Sequence, residues 1–462
     1  MKFGGTSVAD AATVRKVVDI VEGYRKEGHE LAVVVSAQRG VTDQLIATAT
    51  EIAGSRNAPA IDPLISSLRL RHKSVLAEVG SDFEEEVSGE MEERLCELGN
   101  MLHAVHNLRE LTPRSLDYII TYGERLNSLV VSAALRQRGI PSRVMDGCEA
   151  GILTTTQHGE AMALPESQER IRGRVQPLLT GTVPVIMGFM GCTEKGIITT
   201  LGRSGSDYSA AIIGAGIDAG EIWIWTDVDG IMTSDPRLIS DARVIPSLSY
   251  LEVMELSFFG AKVMHPRSIE PAMKKNIIVR VKNTFNPSHP GTAIVRGEKR
   301  DSRVVKALTY IDKVALINIC GAQMIGRPGV ARAIFSALAE KEVNVMMISQ
   351  GSSEANISLI IDESQLMPAT EALASIVKEG LVREVTSNRD VCAVAVVGSG
   401  MAGAKGTGGR IFTALGNGGV NVMMISQGSS EVNISFVVKQ ADGPKAVRIL
   451  HDEFRLSEED YA

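Results

Sequence analysis

Lys2 stands just before a glycine pair, Gly4 and Gly5, and the hydroxyls of Thr6 and Ser7, with a helical pattern beginning at Ala11. Glycines at a strand-to-helix turn let backbone N–H groups approach an anion, and the helix N-terminus adds a favourable dipole. A lysine beside them supplies a compact charge suited to phosphate. Three more clusters share this character: TTLGRSGSDYSA with Arg203, Ser206 and Asp207; WTDVDGIMTSDPR with Asp227, Asp229, Asp235 and Arg237; and FFGAKVMHPRSIEPA with Lys262 and His265. Gly, Asp and Ser also populate turns for backbone reasons, so no cluster is decisive alone. Their co-occurrence in a neutral-to-acidic chain is the informative observation, and it makes ordinary turn chemistry the weaker explanation. Neither the Walker A pattern nor the protein-kinase catalytic loop is present.

The elements that must position these residues alternate in type. Residues 31–36, 183–188, 221–226 and 277–281 read as short buried strands, and 11–27 and 115–138 as periodic helices. Such alternation predicts an α/β layer architecture with a largely parallel sheet. Residues 45–109 read as a mostly helical excursion, and NPSHPGT followed by GEKRDSR marks a domain boundary. Beyond it lies a duplication: VNVMMISQGSSEANIS from Val343 returns 77 residues later from Val420, differing only at Ala355 versus Val432. Each copy reads strand, helix, strand, strand, helix. The first adds a fourth strand near 381–385, whereas the second runs into the acidic RLSEEDYA. A sheet edge would then be unpaired. The apolar run 304–310 is expected to fill it, which inserts one copy within the other. The expected division is 1–296 for the first domain, 311–388 for the first module, and 303–310 with 389–462 for the second.

Composition narrows the function classes. The chain has 462 residues and a formal charge of −7, which argues against a nucleic-acid partner held through phosphates. No apolar run reaches membrane-span length, and MKFGGTSVAD does not read as a signal peptide, so a cytoplasmic protein with no membrane partner is expected. Five scattered cysteines without a CxxC pair predict reduced thiols and no structural zinc, and no metal-ligand set is read. VAVVGSGMAG carries G-x-G-x-x-G at Gly398, Gly400 and Gly403. Its counterpart in the first copy lacks the middle glycine, and no ribose-binding acid follows, so a dinucleotide site is not expected.

KFGGTS, VVVSAQRGVTD, ELTPRSLDYIITYGERLNS, TTLGRSGSD, WTDVDGIMTSDPR, FGAKVMHPR and the two ISQGSSE-x-NIS repeats occur in order, and together they resemble the aspartate kinase family over essentially the whole chain. The resemblance implies an amino-acid-kinase fold followed by two ferredoxin-like βαββαβ ACT domains. It also implies Mg2+ with ATP as phosphoryl donor, L-aspartate as acceptor and L-aspartyl 4-phosphate as product. On that resemblance Lys2 and Lys262 stabilise the transferring phosphoryl group, with Gly4 and Gly5 contributing backbone donors, and Asp207 orients Lys2. Arg203 holds the α-carboxylate, Glu124 the α-amino group, and Ser36 and Thr42 the reacting carboxylate. Ser7, Thr226, Asp227, Asp235 and Arg237 line the nucleotide site. The side-chain carboxylate is already ionised at neutral pH, so no general base is required.

Two other readings stay open on the residues: a glutamate or uridylate kinase of the same fold, and an inactive amino-acid sensor. The repeated turn offers Gln350 and Gln427, with Asn344 and Asn421 on the preceding strands, to a small polar effector. A glutamine there resembles threonine-sensitive more than lysine-sensitive relatives, so threonine is the expected effector. ACT pairing predicts a homo-oligomer, and the end of the chain after the second repeat leads us to expect no fused homoserine dehydrogenase.

Overall fold

The computed structural model describes residues 1–55, 60–259, 264–297 and 303–458, which form two compact units. The first comprises Met1–Ile231, Pro246–Tyr250 and Met264–Arg296. Its strands are β1 (Lys2–Phe3), β2 (Val33–Val35), β3 (Ser142–Met145), β4 (Val183–Met187), β5 (Met190–Cys192), β6 (Ile198–Thr200), β7 (Glu221–Thr226), β8 (Ser247–Ser249), β9 (Ile278–Asn283) and β10 (Thr292–Val295). Eight of these make one sheet in the order β3-β4-β2-β1-β7-β9-β10-β8, while β5 and β6 form a separate hairpin. All pairings in the large sheet are parallel except β9 with β10. The expected α/β class is what folds.

β1 is two residues long yet central. Lys2 pairs with Val34 and Ile224, and Phe3 with Val35 and Trp225. Successive strand residues face opposite sides. Phe3 is therefore free to stack on Trp225, ring centroids 5.9 Å apart, while Lys2 is left for other work. The helix Ala11–Lys26 buries Val14, Val17, Val18 and Val21 at helical spacing, and Tyr122–Gln137 buries Leu126, Val130 and Ala133, in a core shared with Val33, Val35, Val183 and Val185. Parallel strands deliver their C-terminal ends to one edge, where α/β sheets usually place ligands. The turns after β1, β2 and β4 thus gather together.

Two expectations are refined. The stretch read as one helix over 115–138 is two, Pro113–Ile120 and Tyr122–Gln137. At the break the Thr121 hydroxyl donates to the Tyr118 carbonyl at 2.7 Å, a local bond that competes with the helical ladder. The cysteines, though scattered in sequence, are not all apart: Cys148 and Cys192 lie beside each other with Cα atoms 5.4 Å apart, close enough for a disulfide, where separate free thiols were expected.

The second unit comprises Met232–Ile245, Leu251–Val263 and Gly297–Ala462. Its strands are β11 (Ala307–Ile311), β12 (Val314–Cys320), β13 (Val345–Gln350), β14 (Asn356–Asp362), β15 (Glu384–Asn388), β16 (Cys392–Val397), β17 (Met424–Gln427) and β18 (Asn433–Val438). They make two antiparallel sheets in equivalent orders, β13-β14-β12-β15 and β17-β18-β16-β11. β11 precedes the first copy in sequence but pairs with β16 of the second, from Ala307 against Val397 to Ile311 against Ala393. β15 begins three residues later than expected because Val382 turns into the helix-side core, 1% exposed, instead of joining the strand.

The decoy fingerprint has a packing explanation. A Cβ on Gly398 would lie 2.4 Å from the Val304 carbonyl oxygen, and one on Gly400 2.5 Å from that of Arg303. These glycines let the chain leading into β11 lie against the end of β16. Gly321 of the first copy plays the same part against Arg383, at the entry to β15.

Candidate active site

The Lys2 ammonium lies 2.5 Å from Asp207, in the first turn of the helix Gly205–Gly216, and both side chains are nearly buried. Gly5 lets the first turn approach the one after β2: a Cβ there would sit 2.8 Å from the Ala37 carbonyl oxygen. Ser36 follows β2, and Thr42 lies in the first turn of the helix Val41–Gly54. Glu124, in the first turn of Tyr122–Gln137, is 3% exposed. Burial pushes its carboxyl up to about 8, against the opposing pull of the Ala37 amide, its own amide and the charge of Lys2. One of its oxygens, Oε2, is buried without a partner. Arg203 occupies an exposed turn between two left-handed residues, Gly202 at φ 76° and Ser204 at φ 55°, and has no ion pair among the described residues.

These groups share one cavity of about 460 Å³, bordered by Lys2, Gly5, Ser36, Thr42, Glu124, Arg203 and Asp207. A buried carboxylate, an unpaired guanidinium and a lysine around one small space complement a zwitterion that carries a further anionic group. A larger cavity, about 720 Å³, is bordered by Met1, Ala32, Ile213 and Trp223, and none of the expected site residues lines it. The chemistry favours the smaller one.

Other expected residues are placed differently. Ser7 is fully buried, its hydroxyl 2.7 Å from that of Thr284, so its side chain faces inward and not toward the cavity. Gly4 lies beside Lys2, its amide donating to the Trp225 carbonyl. Thr226 and the exposed Asp227 close β7, the Thr226 hydroxyl donating to Asp227 at 3.2 Å, and neither borders the cavity. Asp235 and Arg237 belong to the second unit, where the Asp235 carboxylate accepts from the backbone and guanidinium of Arg237. Lys262 lies outside the described residues. Asn344, Gln350, Asn421 and Gln427 are all exposed. Gln350 and Gln427 end β13 and β17, edge strands that lie side by side, with the Ser426 hydroxyl 3.4 Å from the Ile348 carbonyl.

Three residues were missed. Asn127 donates to the Ser36 carbonyl at 2.8 Å, tying the turn after β2 to the Glu124 helix. Its spacing of three from Glu124 marks it as a same-face neighbour. Gln38 is 1% exposed with both amide atoms unpartnered. Asp117, buried in the helix before Glu124, accepts from the loop at 158–159 and from Thr200.

The Amino acid kinase family pattern matches residues 1–283, and the ACT domain pattern matches 317–376 and 394–454. Aspartokinase 1, chloroplastic, of Arabidopsis thaliana is 33% identical over 463 residues, covering 98% of this chain and 79% of the relative. The chain belongs to the aspartokinase family. Its similarity to the bifunctional aspartokinase/homoserine dehydrogenase 1, chloroplastic, of Zea mays is 36% over 470 residues, and there the chain spans half of the relative's length. Among solved structures, E. coli aspartokinase III in complex with aspartate and ADP has 27% identity and a TM-score of 0.82, with 98% of each chain covered. The same aspartokinase with lysine and aspartate gives 28% and 0.79. The fold is accordingly that of an amino-acid kinase followed by ACT domains. No helix among the described residues is long and apolar enough to cross a membrane.

Proposed function

We propose that the chain phosphorylates the side-chain carboxylate of L-aspartate with Mg-ATP, giving L-aspartyl 4-phosphate and ADP. The observation that carries this reading is the single cavity lined by buried Glu124, unpaired Arg203 and the Lys2–Asp207 pair. Glu124 receives the α-ammonium, and the planar fork of Arg203 the α-carboxylate. Ser36 and Thr42 then hold the side-chain carboxylate. One of its oxygens forms a bond to the γ-phosphorus as the β–γ bridging P–O bond breaks and ADP leaves with the electron pair. No proton moves, so the task is to bring two anions together by positioning and positive charge. Lys2, held by Asp207, supplies that charge, joined in this reading by Lys262. Gly4, Gly5, Thr226, Asp227 and the backbone around Ser7 are assigned to the nucleotide.

Magnesium would supply further charge as a complex with the nucleotide phosphates. The reaction opens the aspartate-family amino-acid route, in the cytoplasm. The domains follow the division 1–296, 311–388 and 303–310 with 389–462, and the ACT modules pair between chains in a homo-oligomer. Threonine is the effector we favour, received by Gln350, Gln427, Asn344 and Asn421, although the E. coli relative was solved with lysine.

Incubation with Mg-ATP and hydroxylamine tests the activity. Aspartyl hydroxamate from aspartate, with no product from glutamate, is expected. Glutamate-only turnover would replace the substrate, and ligand binding without turnover would replace the reading with that of a sensor.

A further inference from the structure

Asp117 is 1% exposed and lies outside the wall of the 460 Å³ cavity, yet it is among the most heavily bonded side chains of the first unit. Its carboxylate accepts from the Gly159 amide at 3.0 Å, the Thr200 amide at 3.1 Å and the Thr200 hydroxyl at 2.5 Å, and it lies 2.7 Å from His158 Nδ1. Asp117 sits on the helix Pro113–Ile120, seven residues before Glu124 and directly before the helix that carries it. Thr200 ends β6, three residues before Arg203. The Gly159–Glu160 backbone is packed against the Arg203 turn, since a Cβ on Gly202 would lie 3.0 Å from the Gly159 carbonyl oxygen.

From this we infer that Asp117 is a positioning residue that fixes the Arg203 turn at a set distance from Glu124. The inference rests on the proposed roles of those two residues at the ends of an α-amino acid. An α-ammonium and an α-carboxylate are bonded to a common carbon, so their receptors tolerate little drift. Glu124 comes from a helix and Arg203 from the turn between β6 and the helix Gly205–Gly216, elements far apart in sequence. Asp117 is the group that gathers the hairpin end and the 158–159 loop onto the helix pair. Converging N–H and O–H donors suit a carboxylate, which only accepts. An Asn in its place would turn an NH2 group toward donors and loosen the turn without changing the cavity wall.

The test is a double-mutant cycle in the full chain with aspartate and ATP varied separately. Asp117→Asn should raise the aspartate KM on the order of tenfold while leaving the ATP KM within about twofold. In an Arg203→Ala background the same change should shift the aspartate KM by less than about twofold, because the turn no longer carries the receptor. Thr200→Val, which removes one donor and keeps the backbone, should move the aspartate KM in the same direction by less, and it carries the test should Asp117→Asn fail to fold. If Arg203→Ala raises the aspartate KM but Asp117→Asn and Thr200→Val do not, the inference is overturned. An undiminished Asp117→Asn effect in the Arg203→Ala background also overturns it. An Arg203→Ala enzyme with unchanged aspartate KM overturns instead the assignment of Arg203 on which the inference stands.

Discussion

Glu124 connects burial to a pH dependence that can be measured. Its carboxyl is raised to about 8, so below that pH the empty site holds a proton which the substrate ammonium must displace. Aspartate affinity is therefore expected to strengthen as pH rises from 6 to 8, with proton release on binding, and Glu124→Gln should weaken binding and flatten the profile. A wild-type profile as flat as that of the variant would remove Glu124 from the site. The linked stability effect has a definite sign. The folded carboxyl titrates above the unfolded one, so the protonated group's contribution is complete below about 4.5 and is lost as pH rises through about 8. Arg203→Ala should cost roughly 1.5–3 kcal/mol in kcat/KM for aspartate, the range for a charge-assisted hydrogen bond. Most of the residues at this cavity were legible because they stand in compact motifs with unusual pairings, such as Lys before Gly-Gly. Asp117 and Gln38 were not, since what marks them is burial, and the inward turn of the Ser7 side chain likewise depends on packing.

At the level of elements, β11 depends on two glycines at the end of its partner strand. Gly398→Ala would place a methyl 2.4 Å from a backbone carbonyl oxygen that has no rotamer to change. Overpacking of this kind costs about 1–3 kcal/mol. A lower urea midpoint for the second module, read by hydrogen exchange on β16 and β18, is the expected result, and deleting residues 303–310 should do more damage there. Equal protection in the variant and the parent would show that the approach can relax. Strand identity in the repeats was legible from apolar runs, and even the missing edge could be inferred from an acidic C-terminal segment. The break at Thr121 and the late start of β15 were not, because both depend on single side chains choosing a local carbonyl or the helix-side core.

For the whole molecule, the duplicated edge strands β13 and β17 lie side by side, Ser426 against Ile348, and each ends in its glutamine, Gln350 or Gln427. Threonine at saturation should inhibit aspartyl phosphate formation, and Gln350→Ala or Gln427→Ala should relieve it. Inhibition by lysine with indifference to threonine would reverse the choice of effector. The pairing of β11 with β16 also imposes a timetable on biosynthesis. The first module is contiguous from β12 to β15, so a nascent chain can close that sheet as soon as it emerges. β11 is made earlier yet must wait, without its sheet partner, for roughly eighty further residues before β16 appears. The ribosome thus releases an adhesive edge strand before its partner exists, and early folding of the intervening module shortens the distance the two ends must search.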